Sequence, residues 1–73
     1  MLKVKKLNVS VGEVNTITTY EIEKTPAIKT EEELLAHNEI QALLGDGYCR
    51  NAIEHVNHWI IEIASPSSAN IFM

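Results

Sequence analysis

Few side chains in this chain could do chemistry. There is one thiol, Cys49, and of three imidazoles His55 and His58 follow it at spacings of six and three residues. A thiol and two imidazoles are zinc ligands by type, but a zinc site needs about four donors converging tetrahedrally, usually at CxxC or HxxxH spacing. The set here lacks a fourth member, so no metal and no cofactor are expected. A Cys49–His55 nucleophile pair would need the imidazole to reach the thiol from six residues along one element. No glycine-rich loop offers donors to an oxyanion. Gly45-Asp46-Gly47 lacks the strand and the Lys-Ser/Thr that flank a phosphate-binding loop, and reads as a helix end followed by a helix start. The expectation is a protein that is not an enzyme.

The elements that would carry these residues can be read from period and punctuation. Leu7, Val9 and Val11 alternate with polar neighbours, as do Val14, Thr16, Thr18, Tyr20 and Ile22. Gly12-Glu13 between them suits a two-residue type II′ turn, which pairs Val11 with Val14, Val9 with Thr16 and Leu7 with Thr18. Leu2 and Val4 fall out of phase with that alternation. A bulge at Lys5-Lys6 restores it, setting Val4 against Tyr20, Leu2 against Ile22 and Lys3 against Glu21. Lys24 to Lys29 contains Pro26 and connects.

Thr30-Glu31-Glu32-Glu33 is a capping box with three acids at the positive end of a helix dipole. Apolar residues from Leu34 to Leu44 cover more than half of the following helix, which Gly45 ends. Asp46 is placed to cap a second helix from Gly47 to about Asn57, with Cys49, Ile53 and Val56 as its apolar stripe. Trp59, Ile61 and Ile63 then form one face of a last strand, broken by Ser65-Pro66-Ser67-Ser68. The expected order is β-β-α-α-β. This is an α+β fold, a small antiparallel sheet from the N-terminal hairpin and the C-terminal strand, packed by two helices. Residues 1–64 make one globular domain, and 65–73 a mobile tail ending in an apolar Ile71-Phe72-Met73.

Composition limits the function classes. Seventy-three residues, 45% of them hydrophobic, form a single core of marginal size. A lone cysteine leaves stability to packing or to a partner. No apolar run approaches a membrane span and no secretory leader opens the chain, so a soluble, cytoplasmic protein is expected. The net charge is −4, yet Lys3, Lys5 and Lys6 supply three of the six basic residues, and residues 7–73 carry three basic against ten acidic. That balance argues against non-specific or sequence-specific nucleic-acid binding.

Residues 40–57 run helix, glycine turn, helix with Ile53 as inward anchor, the spacing of a helix-turn-helix. Arg50, Asn51, His55 and Asn57 could read bases there, but only one carries a full positive charge, and Glu54 and Asp46 would repel phosphate. A hairpin that serves packing is preferred.

The remaining candidate is a surface for a protein partner. Lys3, Val4, Lys5 and Lys6 lie on the outer strand of the hairpin, where unpaired backbone can accept another strand. Edge lysines also serve as guards against aggregation. Tyr48 and Arg50 are residue types enriched in interface hot spots. These six residues form the expected partner-binding set.

In its length and its opening Met-Leu-Lys-Val-Lys-Lys, the chain resembles the small phage-encoded regulators that bind host bacterial RNA polymerase, those of Xanthomonas phages in particular. The resemblance implies a non-enzymatic protein that engages the polymerase β and β′ subunits, displaces the σ factor to block initiation at host promoters, and acts as an antiterminator during elongation. It implies residence in the host cytoplasm. A helix-turn-helix repressor and another small phage counter-defence inhibitor, such as an anti-CRISPR with an acidic nucleic-acid-mimicking face, stand as alternatives.

Overall fold

Trp59, Ile61 and Ile63 present a buried apolar row, and the strand that carries them is paired on both sides. The structure, a computed structural model, describes residues 2–67. Its elements are β1 (Val4–Val11), β2 (Asn15–Glu23), α1 (Glu31–Ala36), α2 (Asn38–Leu44), β3 (Tyr48–Glu54) and β4 (His58–Pro66). The four strands form one antiparallel sheet in the order β1-β2-β4-β3. The fold is α+β as expected, with order β-β-α-α-β-β and with β1 and β3 at the two edges.

Register fixes the faces of this sheet. Ile22 lies opposite Trp59, Tyr20 opposite Ile61 and Thr18 opposite Ile63. Leu34 and Ile40 from the helices complete the core on that side, together with Leu2 and Ile28. The amide of Leu2 donates to a Glu39 carboxylate oxygen at 3.0 Å, which ties the chain start to α2. The helices total thirteen residues and cannot span the sheet. All eight residues of β1 are consequently exposed.

The expected slip in β1 is present, but at Leu7 instead of Lys5-Lys6: Lys6 faces Tyr20 and Asn8 faces Thr19. The hairpin loop differs too. Gly12 donates to the Asn15 carbonyl at 2.9 Å, so the two-residue loop is Glu13-Val14, and Val11 faces Thr16 instead of Val14. Gly12 has no positive φ; a β-carbon on it would lie 2.7 Å from the Asn15 carbonyl oxygen. Contacts distant in sequence hold this register. Buried Ser67 donates its amide to Val14 O at 3.0 Å and its hydroxyl to Gly12 O at 2.6 Å, and its hydroxyl also lies 3.0 Å from that of Thr16. β4 therefore continues to Pro66, and the segment expected to be mobile from residue 65 is built into the sheet through Ser67. Residues 68–73, including Ile71-Phe72-Met73, lie outside the described residues.

The Thr30 cap is as expected. Its hydroxyl accepts from Glu33 N at 3.2 Å, and the Glu33 carboxylate takes the Lys29 amide at 3.1 Å. The single helix expected from Thr30 to Leu44 is instead two, parted at His37, whose backbone is extended (φ −67, ψ 137) and whose Nδ1 accepts from Glu39 N. On one straight helix Leu34 and Ile40 would point about 120° apart at 3.6 residues per turn. The break lets both side chains enter one core, where both are fully buried. Gly45, at φ 53 and ψ −120, ends α2 in backbone space closed to other residues.

Residues 47–57, expected to be a second helix, are instead mostly strand β3. The pairing with β4 shifts between Cys49 and Asn51, leaving Arg50 as the extra residue of a bulge. Cys49 faces Ile63 and Ala52 faces Ile61, so the inward residues stand three apart. That spacing imitates a helix. Ile53 and Val56, the rest of the expected apolar stripe, are 47% and 89% exposed. Gly47 is pressed against β4, where an added β-carbon would come within 2.2 Å of the Ala64 carbonyl oxygen.

Two substitutions test these placements by urea or thermal unfolding. Thr30→Ala should cost about 1 kcal/mol through the lost cap. Gly47→Ala should cost about 1–3 kcal/mol because β3 must move off β4, whereas a helical segment would gain from alanine.

Candidate functional site

β1 positions its side chains on two faces. Val4 pairs with Ile22 and Lys6 with Tyr20, which places both on the helix-bearing face. Lys5 pairs with Glu21 and belongs to the opposite face, which no described helix covers. Lys3 also lies there: its carbonyl accepts from Glu23 N at 3.1 Å and its ammonium stands 3.9 Å from the Glu23 carboxylate. Both of those charged groups are exposed, so the pair contributes little to stability. After the bulge, Val9 and Val11 fall on the helix-bearing face, beyond the reach of α1 and α2, at 45% and 73% exposure. The edge thus shows Lys3 and Lys5 on one face, Val4, Lys6, Val9 and Val11 on the other, and no acidic residue before Glu13.

Tyr48 and Arg50 occupy the opposite edge. They belong to β3, and two strands separate them from β1, a distance of about 14 Å at 4.8 Å per strand. Tyr48 faces Ala64, while Arg50 projects from the bulge and its Nε lies 3.3 Å from Glu62 Oε1. The six expected partner-binding residues are therefore two groups. Lys3, Val4, Lys5 and Lys6 are contiguous; Tyr48 and Arg50 are elsewhere. Val9 and Val11 share the β1 group and were not in the expected set, although their alternation in the sequence marks them as strand residues.

The thiol and imidazoles are also apart. Cys49 and His55 stand six residues apart along β3 and its end, about 20 Å at the rise of a strand. His55 and His58 flank the β3–β4 turn, their rings stacked 4.6 Å apart, with His55 N donating to His58 O. Among the described residues, no group of three or more His, Cys, Asp or Glu side chains converges as a metal site would require. Residues 48–54 are strand, so the second helix of a helix-turn-helix does not exist there. A wide-mouthed hollow of about 520 Å³ lies at the sheet end among Glu21, Glu23, Lys24, Val56, Asn57 and His58. Lys24 beside it is engaged elsewhere, 2.6 Å from a Glu54 carboxylate oxygen and above the Trp59 ring.

Burial pushes the Cys49 thiol up in pKa, and the carboxylates of Glu31 and Glu62 push the same way against opposing backbone hydrogen bonds at Asn51 and Glu62. That is the reverse of a nucleophile, which needs a lowered value. Among the described residues, no helix is long and apolar enough to cross a membrane. Comparison with protein-family models, with curated proteins and with solved structures gives no match.

Alkylation of Cys49 tests its environment. At pH 8 the folded protein should react with iodoacetamide several-fold more slowly than the urea-unfolded chain, since less of the thiol is ionised. Because the folded value is raised, the thiol favours the folded state below the ordinary value of about 8.5, and this contribution is lost as pH rises through the folded value. Equal reactivity in the two states would contradict the burial.

Proposed function

We propose that this protein is a non-enzymatic, protein-binding regulator that engages the β and β′ subunits of bacterial RNA polymerase through β1. Occupying polymerase, it displaces the σ factor, blocks initiation at host promoters and acts as an antiterminator during elongation. The observation that carries the binding reading is β1 itself, an edge strand with every residue exposed and with Lys3, Lys5 and Lys6 at its start. The choice of polymerase rests on the chain's length and its opening Met-Leu-Lys-Val-Lys-Lys, which resemble those of phage regulators of that enzyme.

The charge distribution is compatible with such a role. An acidic body repels nucleic acid, while a cationic edge attracts acidic protein surface and raises the encounter rate. Strand β3 supplies no recognition helix, so action through promoter DNA alone finds no support in the fold.

Purified polymerase tests the proposal. The protein should co-elute with core enzyme, reduce σ retention and promoter-initiated transcript, and increase read-through at a terminator. Replacing Lys3, Lys5 and Lys6 together by glutamate should weaken co-elution roughly tenfold or more while the circular dichroism of the domain is kept. Absence of co-elution, or a salt-sensitive shift of promoter DNA by the protein alone, would overturn the reading. Capture of a CRISPR nuclease complex in place of polymerase would favour a counter-defence inhibitor.

A further inference from the structure

The hydrogen bonds at the two ends of β1 set which of its backbone groups face outward. In an antiparallel pair, residues alternate between those bonded to the partner strand and those whose N–H and C=O point away. Glu23 N donates to Lys3 O, so Lys3 and Lys5 turn their backbone groups toward β2, and Val4 and Lys6 turn theirs outward. At the other end Gly12 N donates to Asn15 O. Ser10 and Asn8 therefore face β2, and Val9 and Val11 face outward. The extra residue at Leu7 changes the phase, so the outward positions are even before it and odd after it. No strand among the described residues pairs with this outer side.

We infer that β1 takes up an extended segment of a partner protein as a fifth strand, and that this segment alternates carboxylate and apolar side chains. The inference rests on the proposed binding function and names the chemistry of the bound segment. A regular strand bonds in register to Val4 and Lys6, since the bulge interrupts the row of rungs beyond them. Its side chains on the open face fall beside Lys3 and Lys5, where carboxylates are attracted. Side chains on the other face lie beside Val4 and the aliphatic stem of Lys6, and past the bulge beside Val9 and Val11, where apolar groups leave water. A second copy of this chain is the poorer occupant because its own β1 brings the same three lysines to the contact.

A synthetic peptide, acetyl-Glu-Val-Glu-Val-Glu-Val-amide, tests the inference without polymerase. Titrated into isotope-labelled protein, it should shift the amide resonances of Val4 and Lys6 and leave those of β3 unmoved, with roughly tenfold tighter binding than its Lys-Val counterpart. Val4→Pro removes an outward N–H and no rung of the sheet; it should fold as before and lose binding about fivefold or more. No shift at millimolar peptide, shifts centred away from β1, equal binding of the two peptides, or a β1-paired dimer of the free protein would each overturn it. The two readings fail separately. Peptide binding at β1 without capture of purified polymerase removes polymerase as the target and keeps the strand addition. Polymerase capture undiminished by a folded Val4→Pro variant removes the strand addition and keeps the target.

Discussion

The pairing of β4 on both sides is the constraint on which the rest of the structure depends. Its inward row of Trp59, Ile61 and Ile63 must be covered, and a chain of this length has little material to cover it with. Two short helices, joined at a bend by His37, supply Leu34 and Ile40 and cover the part of the sheet nearest β3 and β4. β2 then closes one flank of β4 and β3 the other. β1 is what remains. It is held by one neighbour and covered by nothing described.

This division of labour relates stability to function. The buried residues of β2, β4 and the helices form the core, and Leu2 enters it from the chain start, held by Glu39. The anchoring of Leu2 at one end and the Ser67 contacts at the hairpin loop fix β1 at both ends of its length. An edge strand fixed in this way is already extended, so an added strand need not order it first, and that lowers the entropic cost of binding. The three lysines then act in both directions: they disfavour pairing of like edges and favour an acidic partner.

Where local signals and long-range packing agreed, the fold could be read from the sequence. Thr30 and Glu33 mark the start of α1, Gly45 the end of α2, and the Trp59-Ile61-Ile63 alternation a strand, because each rests on backbone geometry or period that tertiary contacts leave intact. β3 was hidden by its own bulge. With Arg50 inserted, Cys49 and Ala52 face inward at a spacing of three, and the period of two disappears. The hairpin loop moved one residue along because Ser67, more than fifty residues away, bonds to Gly12 and Val14, contacts that no local turn rule contains. The site follows the same pattern. Lys3, Val4, Lys5 and Lys6 are legible as an edge from alternation and charge, whereas Tyr48 and Arg50 fall within the expected second helix and belong instead to the opposite edge of the sheet.

The central claim is that the outward backbone of β1 is the surface engaged by the partner. Amide hydrogen exchange, run on the protein alone and in complex with RNA polymerase core enzyme and read residue by residue, tests it most directly. We expect the Val4 and Lys6 amides to exchange rapidly in the free protein and to slow roughly tenfold or more in the complex, with the inward amides of Lys5 and Ser10 protected in both. Outward amides that stay fast in a demonstrated complex would show that the partner binds elsewhere on the domain.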